Sequence, residues 1–534
     1  MEKKKVNKGT NLRVIPKIIG VVTMLLLAFI TWYLFLPSLN IHTVTFWIYI
    51  IINITIAISI SIVFRLKNYK FFIIPAGLIG LLAILLISSS PIFNSKEYSK
   101  LITKEDSSFE RDIKEASFEQ VPTVDRDTAQ RLGSRKMGEM LELVSQYNVS
   151  SYYTQINYKN KPVRVTPLEY NGILKWLGNK KDGIPNYMIV DMIDGRVEII
   201  KPESNIKYSK SDKFSRNILR HVKTSYLGDI IFNVGFEIND EGVPYWVTPV
   251  YKNTIGWFGG LDVIEVILTN AITGENTKYK IEDTPKWVDR VYDADKMIKQ
   301  LNWNGRLQLG FLNSLFSQKG VIETTEGYNY LAIDDDVYLY TGITSVGSDE
   351  SNIGFVLVNL RTKQTKFYKV SSAEEYSAME SAEGAVQEKG YKSTFPILLN
   401  INNKPTYFLS LKDDAGLVKM YALVDAQNYQ NVTIGQTVSN VVSLHSGNKI
   451  VEDSSGIDKD NIHLERLEAK GKVVDIKSAV VDGDTHYYII IDENIFSANI
   501  NISKELPFLK IGSDIGVEYY EEAGINIITK IIIQ

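Results

Sequence analysis

The chain has 534 residues, several times the roughly 100 to 200 of one domain, and is 45% hydrophobic, 23% charged and 11% aromatic, which excludes a single small module and a disordered or collagen-like chain. Residues 1–95 carry nine Lys or Arg and one acid, Glu2, whereas residues 96–534 carry 50 bases against 61 acids, net −11, so the large part of the chain lacks the basic footprint of a nucleic-acid binder. The absence of cysteine excludes disulfides, thiolate nucleophiles, iron–sulfur clusters and Cys-built zinc sites.

In chain order, the first elements are three uncharged apolar runs, 18–36, 44–64 and 71–90, each near the roughly 20 residues that span a bilayer. One short apolar core with a cleavage site would be a signal peptide; two further full-length runs predict a retained three-helix transmembrane anchor that meets the lipid bilayer through residues 18–90. Six bases (Lys3, Lys4, Lys5, Lys8, Arg13, Lys17) precede the first run, none lies in 37–43, and Arg65, Lys67 and Lys70 fill the next loop. Basic flanks stay cytoplasmic, so the expected topology is a cytoplasmic amino terminus with residues 96–534 extracytoplasmic. No ionisable group lies inside a span, as an ion path or proton relay would need, and Ala76, Gly77, Gly80 and Ala83 give the third span a face that permits close helix approach.

After a juxtamembrane linker at 96–125, the sequence repeats itself. PVRVTPLEY (162–170) and PYWVTPVYK (244–252) are followed by WLG (176–178) and WFG (257–259), then by strand pairs turned at Asp194-Gly195 and Thr273-Gly274. Weaker copies start at Tyr328, with a turn at Asn359 to Thr362, and at Lys404, with the loop KDDAG. A helix precedes each copy: after Asp127 as N-cap, after Ser211, from Thr284-Pro285 with Trp287 and Val291 turned inward, and from Ser372 with Glu375 at capping-box spacing. The expected units are 126–202, 203–283, 284–370 and 371–440, each one amphipathic helix covering an antiparallel sheet. A Ser/Gly/Asn/Asp-rich linker at 441–465 leads to about five alternating strands in 466–534, a small OB-like β-barrel.

A helix followed by an antiparallel sheet, with a strand such as GVPYWVTPV and a later strand such as VILTNAITGENTKY ending in a Gly turn, resembles the PepSY family of small extracytoplasmic modules; the whole chain is similar to large multi-pass proteins of low-GC Gram-positive bacteria. The resemblance implies α+β modules in tandem that bind peptide or protein, sometimes restraining a peptidase, and it brings no catalytic residues.

Chemistry-bearing patterns are sparse. His42, His221, His445, His463 and His486 lie in no nucleophile-elbow or metal-ligand spacing, which disfavours zinc and Ser-His hydrolysis. Asp334 to Asp336 and Asp413-Asp414 read as solvated turns, because alternate strand residues face opposite ways. The Val-Thr-Pro repeats at 165–167 and 247–249 read as strands ending at proline. Trp176, Tyr251, Trp257 and Phe258, in glycine-containing loops, are the candidate partner-binding residues, against the simpler role of plugging the core beneath a loop. No catalytic, metal or cofactor residue is assigned. The reading is a non-enzymatic binding or scaffolding protein of the cell envelope, with a protein or peptide partner or a cell-wall polymer. Its rivals are a wall-active hydrolase or peptidase regulator drawing carboxylates from several units, and a cytoplasm-facing nucleic-acid binder. The barrel, with five Lys and no Arg against ten acids from Gly471 on, disfavours the latter.

Overall fold

The first three segments form helices, α1 (Asn11–Phe35), α2 (Val44–Val63) and α3 (Ile73–Ser88), which have no polar face to turn toward water once α1 has passed Arg13 and Lys17. The structure, a computed structural model, describes residues 11–63, 69–115, 121–346, 351–445 and 467–533 except 482–483, 493, 504 and 523–524. Three stretches, Ile18–Phe35, Val44–Val63 and Lys70–Ser88, are long and apolar enough to cross a membrane. Their hydroxyls are satisfied within the helices: those of Thr23, Thr55, Ser59 and Ser61 each donate to the carbonyl four residues back. The small-residue face of α3 is open: among the described residues nothing beyond the helix's own nearby backbone comes within 4 Å of where a Cβ on Gly77 or Gly80 would stand. The base-free α1–α2 connection and the end of α3 meet the same part of the following domain. Leu39 N donates to Leu227 O (2.6 Å), Asn253 Nδ2 to His42 O (2.6 Å) and Trp257 N to Ser89 Oγ (2.9 Å).

The chain divides into two compact units, Met1–Val432 and Thr433–Gln534. In the first, α4 (Pro91–Ser99) continues from α3, and the expected linker is partly structured: β1 (Glu105–Ser107) and α5 (Phe109–Asp112) lie within it. Next come α6 (Arg126–Gly138), α7 (Leu141–Val144), β2 (Tyr147–Val149), β3 (Thr154–Tyr158), β4 (Lys161–Tyr170), α8 (Ile173–Asn179), β5 (Tyr187–Asp191) and β6 (Val197–Ile200). Then follow α9 (Ile218–Ser225), β7 (Gly235–Ile238), β8 (Pro244–Ile255), β9 (Gly259–Asn270), β10 (Asn276–Lys280) and α10 (Ala294–Leu307). The rest of the unit is β11 (Ile322–Thr324), β12 (Asn329–Ile333), β13 (Asp336–Ser345), β14 (Ser351–Asn359), β15 (Thr365–Tyr368), β16 (Ser372–Ala373), α11 (Glu375–Gly384), β17 (Lys392–Ser393), β18 (Ile397–Ile401), β19 (Lys404–Lys412) and β20 (Val418–Asp425). These strands form four sheets, centred on β4–β5, β8–β9, β13–β14 and β19–β20, and every pairing except that of β1 with β15 is antiparallel.

The same backbone device recurs in all four sheets. The second strand of the central pair ends at Asp191, Asn270, Asn359 or Asp425, whose side chain accepts from main-chain N–H groups two and three residues on, an Asx turn. The following residue, Met192, Ala271, Leu360 or Ala426, donates to the start of the central strand at Pro162, Pro244, Val337 or Pro405. Its carbonyl accepts from the chain just before the covering helix: Thr123 and Val124, Lys207 and Tyr208, Val291 and Tyr292, or Ala373. A short turn thus pins each helix approach to its own sheet.

That pinning moves the helix starts away from the expected caps. Asp125, not Asp127, caps α6, accepting from Thr128 N at 3.0 Å; Asn217, not Ser211, caps α9. The stretch from Thr284-Pro285 is not helical through Trp287 and Val291, because the main-chain N–H groups of Asp289 and Arg290 are taken by the Glu237 carboxylate and those of Val291 and Tyr292 by Leu360 O; α10 begins only after Asp293. Ser372 lies in β16, paired with Asn352, so it cannot cap α11. The Val-Thr-Pro strands do not end at proline: β4 runs to Tyr170 and β8 to Ile255. Pro167 sits between the stretches where β3 and β2 pair with β4, and Pro249 lies beyond the end of β7, so neither ring removes a ladder donor on that side.

In the second unit, after β21 (Val432–Gly435) at its boundary, residues 441–445 end α12 (Val438–His445), so the expected linker begins as helix; 446–465 lie outside the described residues, as does His463. The strands β22 (Leu467–Val481), β23 (Asp484–Ile491), β24 (Asn494–Asn499), β25 (Asp514–Glu522) and β26 (Ile525–Ile533) close a barrel in the order β22-β23-β24-β26-β25, with β24 and β26 parallel. Val473, Ile489, Phe496, Ile515, Val517 and Ile528 fill it. The chain is thus a mixed α+β protein with three apolar N-terminal helices and a closed five-stranded barrel near its C-terminus.

Candidate functional site

The four aromatics singled out in the sequence separate into two pairs. Trp176 is on α8 rather than a loop, is 7% exposed, and donates its indole N–H to Asp212 Oδ1 at 3.1 Å. Tyr251 is within β8, 2% exposed, against Phe232 and beneath Lys296. Both are core residues. Trp257 and Phe258 form the tip of the β8–β9 hairpin, which Gly256 turns at φ 57°. Trp257 is 37% exposed; its ring packs on His42 and Trp47, and the Ser89 hydroxyl accepts from the main chain of both tip residues. This tip therefore rests on the ends of the chain's own apolar helices. Among the expected turns, Asp413 Oδ1 accepts from Leu417 N, Asp334 pairs with Lys114 at the surface, and Asp336 holds Arg361. His221 donates Nε2–H to Gly274 O at 2.8 Å, a boundary residue. Among the described residues no cluster of His, Asp or Glu could hold a metal ion.

A cavity of about 900 Å³ lies elsewhere, where segments of all four sheets converge. Hydrogen bonds between the segments of different sheets tie the four together around it. Tyr187 donates to Gly242 O (2.8 Å), Glu237 takes Asp289 N (2.9 Å), and Asp289 takes Asn157 N (2.6 Å). Asn329 donates to Phe395 O (3.1 Å), and Ser410 to Thr123 O (2.9 Å). The helix approaches pinned by the recurring turn deliver Asp125, Lys210 and Asp293 to the same space.

Two arginines mark it. In β4, Val163 and Val165 join the core, which by strand alternation turns Arg164 to the opposite face and into the cavity. Arg164 is 5% exposed and makes one hydrogen bond, Nη2 to Gln155 Oε1 at 3.2 Å; its Nε has no partner. Burial lowers it to about 10, still cationic at neutral pH. Arg290 lines the same space, stacked on Tyr330 with Cζ 4.1 Å from the ring centre and Nη2 2.8 Å from its hydroxyl; its Nε too is buried without a partner. Among the described residues no carboxylate comes within 4 Å of either guanidinium. Burial lowers Lys210, over the Tyr152 ring, to about 8.

The more exposed charges of the lining are the acids Asp127, Asp293 and Asp295, the base Arg126, and Asp125, which burial would raise but which Lys412 (2.6 Å) and Thr128 hold below its ordinary value. Behind Arg290, Glu237 is fully buried and raised to about 7 by desolvation, and Asp289 is raised for the same reason with the Glu237 charge adding to it. Tyr152, Phe232, Tyr328 and Phe395 supply aromatic wall. Among the described residues no histidine lines the cavity. The arrangement sets buried basic groups against more exposed acids, with aromatic surface between. Sequence patterning did not single out Arg164 or Arg290; the signal available was one charge inside the apolar strand PVRVTP.

No sequence family matches the chain, and no curated protein matches it. Among solved structures, a Trypanosoma rangeli sialidase in complex with 2,3-difluorosialic acid is similar at 8% identity and a TM-score of 0.16, over 73% of this chain and 54% of that one, so the chain spans about half the length of that enzyme.

Proposed function

We propose that the chain is a membrane-anchored, extracytoplasmic, non-enzymatic binding protein of the cell envelope, presenting tandem PepSY-like modules to a peptide segment of a partner. The observation that carries the reading is the cavity shared by the four sheets, with buried basic groups, more exposed carboxylates and aromatic walls. Mixed charge favours a zwitterionic, partly apolar ligand, as a peptide is; a polyanionic wall polymer would meet the more exposed carboxylates as like charges. The recurring Asx turn and pinned helix support a modular origin. The extracytoplasmic side is supported by the bases of the amino terminus and of loop 65–70, set against the base-free connection 37–43 that packs on the large domain.

A hydrolase drawing on paired carboxylates finds less support, since Asp125 is bound to Lys412 and Asp293 is spent capping α10. A nucleic-acid role for the OB-like barrel is disfavoured by its charge: Lys472, Lys477 and Lys530 each pair with a barrel acid. The test is equilibrium dialysis of the full chain in nanodiscs against a random hexapeptide pool, with mass spectrometry of what is retained. Enrichment of peptides, lost when Tyr328→Ala and Phe395→Ala are combined, is the expected result. Retention of no peptide overturns the reading.

A further inference from the structure

We infer that Arg164 and Arg290 form the seat for a ligand carboxylate at the base of the cavity; this rests on the peptide-binding reading and specifies what part of the peptide is recognised. An arginine does not shed its proton at physiological pH, so a buried one is paid for by an anion or a dense set of acceptors. Here two guanidinium groups line one cavity with a single side-chain hydrogen bond each, to Gln155 Oε1 and to the Tyr330 hydroxyl; Asp125, Glu237 and Asp293 act on them only across more than 4 Å. Glu237 is occupied by the main-chain N–H groups of Asp289 and Arg290, and Asp125 by Lys412 and Thr128.

The flat fork of a guanidinium matches a carboxylate in two-point fashion, and two forks, one from β4 and one from the approach to α10, fix its orientation. The Tyr330 ring stacked on Arg290 holds that fork without neutralising it. Above the seat, Tyr152 and Phe395 offer apolar surface for the residue that carries the carboxylate, and the more exposed acids suit a positive charge elsewhere on the ligand. A peptide terminus and an Asp or Glu side chain carry the same group, and the ligand arms of the experiment separate them.

The full chain in nanodiscs is dialysed against hexapeptide pools with free C-termini, with amidated C-termini, and with amidated C-termini and no Asp or Glu. Isothermal titration with 4-hydroxyphenylacetate, its amide and inorganic phosphate runs in parallel. The seat predicts at least tenfold weaker retention of the pool that lacks both carboxylate sources, binding of the acid but not of its amide, and at least tenfold loss of both in Arg164→Gln and Arg290→Gln. It also predicts that the ligand-free Arg164→Gln protein melts no lower than the parent, because an uncompensated charge has been removed; a purely structural arginine would melt lower. Retention of the free-acid pool and of the acidic amidated pool assigns the carboxylate to the terminus or the side chain, respectively. Equal retention of all pools, unchanged by Arg164→Gln, overturns the seat and leaves peptide binding standing. Retention of no pool overturns peptide binding, and the seat then falls too unless 4-hydroxyphenylacetate binds in an Arg164-dependent way. Arg164-dependent binding of phosphate without the carboxylate overturns it.

Discussion

Replacing Trp176 by alanine separates a core role from a binding role at one of the aromatics that the sequence marks as a loop residue. The ring is buried on α8 beside Phe214, with its N–H on the buried carboxylate of Asp212, a group that burial already raises. Emptying a buried tryptophan site costs about 3 to 5 kcal/mol, and depriving Asp212 of a donor adds about 1 to 3 kcal/mol, although the two overlap. Taking about 4 to 6 kcal/mol and about 2 to 4 °C per kcal/mol for domains of this order of size, the melting temperature should fall on the order of 10 °C or more. Thermal unfolding of the full chain in nanodiscs, followed by circular dichroism, measures it. Trp176→Phe, which keeps the ring volume and loses the hydrogen bond, should lose about 1 to 3 kcal/mol. An unchanged melting curve for Trp176→Ala, with weaker peptide capture, would refute the core assignment.

Trp257→Ala should cost less, about 1 to 2 kcal/mol, because the ring keeps much of its water and its main-chain bonds to Ser89 survive; a loss equal to that of Trp176→Ala in the same assay would contradict this. Glu237, raised by burial to about 7, holds a proton in the folded state that the unfolded chain releases above its ordinary carboxyl range, so its contribution is complete below about pH 4.5 and lost as pH rises through about 7; Asp289, also raised, acts in the same direction. Stability measured by chemical denaturation should therefore rise from pH 8 to pH 5, and Glu237→Gln should flatten that rise by about 3 kcal/mol; a parallel slope in the variant would remove Glu237 as its source. The chain has no cysteine, so single cysteines report topology on a clean background: one replacing the exposed Leu174 should react with a membrane-impermeant maleimide in sealed cells, and one replacing Lys8 should not. The opposite labelling would reverse the proposed sidedness.

The apolar helices were legible because 20 uncharged residues in a row leave a chain few other structures. The strand pairs were legible because alternation and Asx-Gly turns are local chemistry; Asp194-Gly195 and Thr273-Gly274 stand where the sequence puts them, with both glycines at positive φ. The helix starts were not. Thr284-Pro285 is a sound local opening signal, yet it loses to partners distant in sequence, since the Glu237 carboxylate and Leu360 carbonyl claim four consecutive N–H groups that a helix there would leave waiting. Local capping preference is worth about 1 kcal/mol and cannot outbid several buried hydrogen bonds. The same competition turned WLG into a helix: Trp176 N donates to Gly172 O, and its indole finds Asp212 across the boundary of the next segment.

The cavity was illegible for a related reason. Its charged groups are distant in sequence and fall at positions whose local meaning is bland: Arg164 an odd residue in a strand, Lys210 a base in a polar stretch, Arg290 the end of an expected helix turn. They meet because each segment carries the same turn, which fixes the chain just before each helix to its own sheet, and because the cross-sheet bonds of Asn157, Glu237, Asn329 and Ser410 bring those fixed points together. A repeat unit on its own has no reason to bury an arginine. Four sheets around a common space create a place where one can be held with no carboxylate among the described residues within 4 Å, and that is a property of the assembly of sheets rather than of any one stretch of sequence. Losing a cross-sheet bond should therefore affect ligand capture before it affects folding of any single sheet. Ser410→Ala, which removes only the hydroxyl donated to Thr123 O, should cost about 1 kcal/mol of stability and a larger factor in peptide retention; stability loss with retention intact would show that the cavity walls do not depend on that bond.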